Sequence, residues 1–164
     1  MRSRLPQSKL SDHLERMANP LCEVLLTEAE LDYPVAERPD VVAGAMIDFW
    51  GLVRLQEGER EIDGLHYEAK GSMAEHQLRA ISREAIERFG LKLVIIHHRV
   101  GFVPVGKASL FARVAAPHRG EAVRAVEWLV DELKKRVPIW KLPRFKADPG
   151  GPAPSMKKPA TTHQ

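Results

Sequence analysis

Apolar residues along this chain switch between two spacings, and this switching limits the fold more than any other feature. Short apolar or alternating runs, which are typical of strands, occur at 21–27, 44–55, 62–69, 91–98 and 107–116. A turn at Gly58 is expected to make 44–55 and 62–69 antiparallel neighbours. Two longer stretches repeat apolar residues every three or four positions, as amphipathic helices do. Together these segments predict an α+β fold, a single domain with an antiparallel sheet and two main helices.

The first helix is delimited by the sequence at both ends. Ser72 and Glu75 match the S-x-x-E capping box, in which each side chain accepts a hydrogen bond from a free backbone N–H. Gly90 is a typical C-terminal stop, because glycine adopts the left-handed conformation without steric cost. The apolar stripe predicted between these signals consists of Ala74, Leu78, Ile81, Ala85 and Phe89.

The second helix is predicted to follow Pro117 and to end before Pro138, which has no N–H to donate. The stripe predicted for it consists of Val123, Val126, Val130, Leu133 and Val137. The segment 138–147 then supplies the last core element. We expect the domain to cover 21–147, between a flexible leader at 1–20 and a disordered Pro/Gly-rich tail at 148–164.

Charge and motifs exclude several classes of function. A net charge of +3 is too small to indicate a nucleic-acid binder, and Cys22, the one cysteine, is typical of the reducing cytoplasm. His97 and His98 are adjacent on a predicted strand, so their side chains point to opposite faces and are poorly placed to share one metal; we expect one in the core and one on the surface. Zinc, nucleotide and nucleophile-elbow motifs are absent from the sequence. We therefore expect no metal and no cofactor.

Three basic positions are candidates for an anion site, each with a structural alternative. Arg54 ends an apolar strand, where an edge ion pair would explain it equally. His118 and Arg119 precede the second helix, whose N-terminus attracts anions, although a plain helix-entry loop fits as well. Lys134 is either a cleft residue or a cation that complements the helix dipole, and Lys141 either faces the site or lies along Trp140. A lysine that is crowded by cations and partly desolvated loses its proton more readily, as a base requires.

Four segments of the chain, taken in order, resemble the large subunit of molybdopterin synthase. They read GAMIDFWGLVR, LHYEAKGSMAEHQLRAISREA, HRVGFVPVGKASL and APHRGEAVRAVEWLVDELKKRVPIWK, and the resemblance covers about 40–141. It implies an α/β hammerhead-type fold, a homodimer, and a small ubiquitin-like partner with a Gly-Gly C-terminus. In that family the partner's C-terminus is activated as a thiocarboxylate. Two sulfur transfers from this terminus to cyclic pyranopterin monophosphate form the molybdopterin dithiolene.

The same resemblance implies a role for each of the five basic residues. Arg54, His118 and Arg119 correspond to substrate-binding residues, which would neutralise the phosphate of the precursor. Lys134 and Lys141 correspond to the catalytic lysines. Lys141 would contact the thiocarboxylate or the partly sulfurated intermediate, and Lys134 would assist proton transfer or hold the substrate.

The chain departs from the family pattern near these residues. Leu52 lies two residues before Arg54, where the family commonly has Thr or Lys, and residues 55–58 replace an Asn/His-containing loop. After Lys141 come Leu142 and Pro143, where a basic residue and a glutamate are usual. These departures leave open a diverged protein that binds the sulfur carrier without transferring sulfur. A nucleic-acid binder has little support, because no basic run is interleaved with aromatic residues.

Overall fold

Eight strands and two helices make up residues 20–32 and 43–146, the part of the chain that the computed structural model describes. In chain order they are β1 Leu21–Thr27, β2 Ala45–Leu52, β3 Gln56–Glu57, β4 Arg60–Ala69, α1 Gly71–Phe89, β5 Leu93–Arg99, β6 Gly101–Pro104, β7 Ala108–Ala116, α2 Arg119–Arg136 and β8 Ile139–Phe145. Neither helix is long and apolar enough to cross a membrane. The leader expected at 1–20, except for residue 20, and the tail expected at 148–164 lie outside the described residues.

The strands form two sheets, and both helices pack on one face of the larger sheet. Its strand order is β1-β5-β7-β2, and the smaller sheet joins β3, β4 and β6, with β8 on β4. The main core lies between the larger sheet and the helices, while Val53, Ile62, Leu65 and Val103 form a second cluster against the smaller sheet. The predicted α+β class with two main helices is therefore confirmed. The larger sheet is mixed, because β1 runs parallel to β5.

The predicted pairing of 44–55 with 62–69 is wrong. β2 pairs with β7, with Ala45 opposite Ala116, and it leaves the sheet after an irregularity at Leu52. Val53 is held instead by backbone hydrogen bonds to Lys107 and Gly106, and its side chain enters the second cluster. The Gly58 turn exists, but it joins only the two-residue β3 to β4. Because Val53 is buried in the second cluster, β2 ends at Leu52 and does not form a long hairpin with β4.

The first helix begins two residues earlier than expected, so the predicted capping box is wrong. Lys70 is the N-cap residue, and no side chain of the described segments caps the helix. Ser72 is therefore an exposed residue of the first turn. The Gly90 stop is confirmed by its φ of 64° and by its N–H, which donates to the carbonyl of Ile86. The predicted stripe is also confirmed, with Phe89 only partly buried.

The second helix has the predicted boundaries but a different buried face. The fully buried residues are Ala122, Ala125, Leu129 and Leu133, whereas Val123 is 53% exposed. In the first turns of the helix, the buried face therefore lies one position before each valine of the predicted stripe. Alanines at the contact allow the helix backbone to approach the sheet closely, which a pattern search for large apolar residues overlooks. Pro138 follows the C-cap residue Val137, as predicted.

Both histidines of β5 are buried, which corrects the expectation that one lies on the surface. On one face of β5 the ring Nε2 of His97 donates to the Glu23 carboxylate at 2.6 Å, and on the other face Nδ1 of His98 donates to the carbonyl of Arg99 at 2.8 Å. β5 is flanked by β1 and β7 and is covered on both faces, so neither ring reaches solvent freely.

The segment predicted as the last core element is an edge strand. In the described part of the chain β8 has β4 as its single neighbour, and none of the residues of β8 is buried. Trp140 is 48% exposed, and only Ile139 and Phe145 pack against the two cores. Its side chains are therefore available for contacts outside the core.

Candidate functional site

His118 and Arg119 lie at the N-terminus of α2, as the sequence predicts. β7 ends at Ala116, and His118 is the extended N-cap residue of the helix. Both side chains are exposed. They line an open depression of about 530 Å³ whose walls are Gly44 and residues 117–121. The unpaired N–H groups of a helix start and two basic side chains make this depression suitable for an anion such as phosphate.

One acid also lines this depression. Glu121, in the first turn of α2, accepts a hydrogen bond from Arg124 at 3.2 Å through Oε1. Its Oε2 is buried and has no hydrogen-bond partner within the described ranges. The carboxylate offsets part of the positive charge, so the depression is weakly rather than strongly cationic.

Arg54 lies two residues beyond β2 and is exposed. Its backbone is fixed by the buried Val53, whose N–H donates to the Lys107 carbonyl at 3.0 Å and whose carbonyl accepts from Gly106 at 2.8 Å. In the described part of the chain its guanidinium has no ion-pair partner, so the edge ion pair that we considered is not seen. Arg54 is thus an exposed cation on a well-held backbone.

Lys141 reaches the turn that carries Arg54. It lies in β8 opposite Tyr67, and its Nζ donates to Oε1 of Glu57 at 2.6 Å. Glu57 is three residues after Arg54, so the ammonium group and this turn share one neighbourhood. Trp140 lies on the opposite face of β8, because side chains alternate along a strand. The alternative in which Lys141 lies along that ring is therefore not what the structure has.

Lys134 is exposed in the last turn of α2. Its neighbours in that turn form ion pairs: Lys135 with Glu132 at 3.2 Å, and Arg136 with Glu84 at 2.6 Å. Within residues 20–32 and 43–146, Lys134 forms no such pair. Its position also complements the helix dipole, so the structural alternative remains alongside the catalytic one.

A single copy of the chain does not gather the five basic residues into one cleft. Gly44, beside His118 and Arg119, precedes the first residue of β2, and Arg54 follows its last. At about 3.3 Å per residue the two ends of this strand are roughly 23 Å apart. Lys134 lies fifteen positions along α2 from Arg119, or roughly 22 Å at 1.5 Å per residue. The structure therefore brings Lys141 to the Arg54 turn and leaves His118 and Arg119 at the far end of β2.

The described residues contain two further polar features that sequence reasoning missed. Glu57 was not a candidate, although an acid in the turn after Arg54 was a usable signal. The guanidinium of Arg113 is 2% exposed and donates two 2.6 Å hydrogen bonds to the carboxylate of Asp48. No group of three or more His, Cys, Asp or Glu residues in the described ranges is arranged to hold a metal ion.

Comparisons with known proteins agree on one family. A sequence model described as MoaE protein matches residues 26–136. The chain is 45% identical over 103 residues to the molybdopterin synthase catalytic subunit of Emericella nidulans, covering 63% of this chain and 53% of that one. It is 37% identical over 123 residues to the protein of the same name from Pyrococcus abyssi, covering 73% and 83%. The chain thus spans about half the length of the first relative.

A solved structure has the same fold. The crystal structure of molybdopterin synthase from Staphylococcus aureus aligns with a TM-score of 0.69 and 29% identity, over 77% of this chain and 92% of the other. The fold described above is therefore shared with a solved protein.

Proposed function

Because this chain belongs to the MoaE protein family, we propose that it is the catalytic subunit of a molybdopterin synthase. It would transfer two sulfurs to cyclic pyranopterin monophosphate, one from each of two thiocarboxylated small subunits, which would leave as carboxylates, and the product would be the molybdopterin dithiolene. The observation that carries this proposal is the family match over residues 26–136, which contains four of the five basic residues. The names of the relatives in Emericella nidulans and Pyrococcus abyssi support the same activity.

The residue types suit a reaction between two anions. The precursor carries a phosphate and the donor carries a thiocarboxylate, so the cleft must neutralise both. Arg54, His118 and Arg119 would bind the precursor, since the guanidinium fork matches phosphate oxygens. Lys141 would contact the thiocarboxylate or the partly sulfurated intermediate. Lys134 would assist proton transfer or hold the substrate, and the first of these roles is open to an amine but closed to arginine, which stays protonated.

We propose further that a second copy of the chain completes the cleft. Among the described residues, β2 is the last strand of the larger sheet and has β7 as its single neighbour. Its sequence is largely apolar, and Met46, Trp50 and Leu52 are between 37% and 59% exposed. An apolar edge strand of this kind favours pairing with another strand. The homodimer expected from the family resemblance would therefore use this edge.

Antiparallel pairing of two β2 strands about a two-fold axis would join the separated halves of the site. The axis reverses strand direction, so the Arg54 end of one copy lies beside the Gly44 end of the other. His118 and Arg119 of one copy would then face Arg54 and Lys141 of its partner. Each dimer would contain two such clefts, and neither cleft would form in a single copy.

The proposed assembly also includes the small subunit. A relative named a catalytic subunit belongs to a protein with at least one other subunit. We propose a ubiquitin-like sulfur carrier ending in Gly-Gly, two copies of which would bind the homodimer to form a heterotetramer. The cytoplasm is the proposed location, since Cys22 is a free thiol and free thiols are typical of a reducing compartment.

A reconstitution assay tests the proposed function. The chain is mixed with a thiocarboxylated small subunit and cyclic pyranopterin monophosphate, and molybdopterin is measured. Product at a rate that depends on the concentration of this chain supports the proposal. A complex that forms without product would instead support the diverged, non-catalytic binder, to which the replaced loop at 55–58 and Pro143 point.

A further inference from the structure

A carboxylate of the chain itself binds the ammonium group of Lys141. Oε1 of Glu57 lies 2.6 Å from Nζ of Lys141, and the two residues are 84 positions apart in sequence. Glu57 lies in β3 opposite Arg60, whereas Lys141 lies in β8 opposite Tyr67. The contact therefore depends on the tertiary fold, which brings the segment after Arg54 to the side chain of a residue in β8.

This ion pair lies at the protein surface, where another anion can replace the Glu57 carboxylate. The Lys141 side chain is 50% exposed and that of Glu57 is 28% exposed. Pairs with this degree of exposure contribute little to stability, because water and salt screen the charges. Another anion that offers comparable contacts can therefore replace Glu57 without unfolding the turn.

The proposed sulfur donor carries such an anion. A thiocarboxylate is a carboxylate in which sulfur replaces one oxygen, and it has the same charge and a similar planar shape. The Glu57 carboxylate thus holds Lys141 in the way that the end of the small subunit would hold it. Both anions cannot occupy the same side of one ammonium group, since like charges at that distance repel.

We propose that Glu57 is a displaceable counter-ion that competes with the C-terminus of the small subunit for Lys141. In the free subunit it positions Nζ beside the Arg54 turn, and it leaves when the terminal carboxylate or thiocarboxylate arrives. Glu57 is a positioning residue, because it acts through Lys141 and touches no reacting atom. This inference rests on the proposed function and adds that Glu57 influences how tightly the sulfur donor binds.

Binding of a small subunit in two forms tests the competition. One form ends in a Gly-Gly carboxylate and the other ends in a Gly-Gly amide, and both are titrated into the wild type, Glu57→Gln and Glu61→Gln. Glu61 is the matched control, because it forms an exposed ion pair with Lys146 at 2.7 Å on the same hairpin. Glu57→Gln is expected to tighten binding of the carboxylate form about two- to fivefold. The amide form and the Glu61→Gln variant are expected to show no change.

Turnover separates competition from a structural role. With the thiocarboxylated subunit, Glu57→Gln is expected to lower KM by the same factor and to leave kcat within about twofold of the wild type. Glu57→Ala, which removes the carboxylate without adding an amide, should shift KM in the same direction. Weaker binding, no change, or an equal change for the amide form would overturn the competition. Failure of the proposed function differs from these outcomes, because the wild type would then form no product.

Discussion

Gly44 and Pro117 approach so closely that no side chain fits between them. A Cβ added to Gly44 would lie 2.3 Å from the carbonyl oxygen of Pro117. The N–H of Gly44 also donates to the Ala116 carbonyl at 3.0 Å. Glycine is therefore required just before β2, and this contact holds the loop that presents His118 and Arg119.

Replacing Gly44 is expected to move this loop. Because the obstructing atom belongs to the backbone, Gly44→Ala must displace it, which should lower the free energy of unfolding by about 1–3 kcal/mol. The kcat/KM for the precursor should fall about 10- to 100-fold, since small displacements of binding groups have large kinetic effects. Gly71→Ala is the control, because nothing lies within 4 Å of its added Cβ. Urea unfolding and steady-state kinetics measure both variants, and equal behaviour of the two would contradict this account.

The two lysines are expected to differ from ordinary surface lysines in turnover. Lys141→Ala should lower the rate of molybdopterin formation by about 100-fold or more, which is the usual loss when a group acting in proton transfer or charge stabilisation is removed. Lys134→Ala should lower it by a smaller factor. Lys146→Ala serves as the control, because Lys146 is an exposed lysine that, like Lys141, pairs with a glutamate of the β3–β4 hairpin but has no assigned role in the cleft. Wild-type rates for both Lys134→Ala and Lys141→Ala would reject the assigned roles.

The pair of Arg113 and Asp48 is expected to matter for stability. Arg113 is almost fully buried and donates two hydrogen bonds of 2.6 Å to the Asp48 carboxylate. Asp48→Ala removes this acceptor from a buried cation and should lower the free energy of unfolding by about 3 kcal/mol. Arg124→Ala breaks an exposed pair with Glu121 and should change it by no more than about 0.5 kcal/mol. Similar losses for the two variants in urea unfolding would argue against a stabilising role for the buried pair.

Burial of His98 predicts a loss of stability at low pH. Burial lowers the pKa of the imidazole below its ordinary value of 6.5, and the hydrogen bond to the Arg99 carbonyl opposes this shift in part. As the pH falls below about 6.5, His98 binds a proton in the unfolded chain but stays neutral in the folded chain. The free energy of unfolding therefore decreases. The slope from this group approaches 1.4 kcal/mol per pH unit. His98→Asn should remove that slope when unfolding is measured between pH 5 and 7, about the ordinary pKa. A parallel pH dependence in wild type and variant would contradict the assignment.

Much of the fold could be predicted from the sequence, because elements that bury only one face have a regular apolar spacing. The α1 stripe and the Gly90 stop belong to this class. The pattern failed where small residues or two-sided burial carried the contact. Ala122 and Ala125, rather than the larger Val123, face the sheet, and both His97 and His98 are buried on a central strand.

The site was only partly predictable for a different reason. Charge and position selected Arg54, Lys141 and the helix start at His118, but they gave no distances. His118 lies roughly 23 Å from Arg54 because the antiparallel pairing of β2 with β7 puts the end of β7 beside the start of β2, and local spacing does not encode this tertiary pairing. The contact between Glu57 and Lys141 likewise joins segments far apart in the chain.

The central claim is that one active cleft is built from two copies of this chain, and mixed dimers test it most directly. Arg54→Ala and Arg119→Ala are each expected to be nearly inactive alone. After the two variants are mixed, unfolded and refolded together, half of the dimers contain one of each copy. Each mixed dimer has one cleft with both substitutions and one with neither. Molybdopterin formation should therefore recover to about a quarter of the wild-type rate, the fraction of clefts that random pairing of a two-fold dimer leaves intact. A mixture that stays as inactive as its two components would contradict the shared cleft.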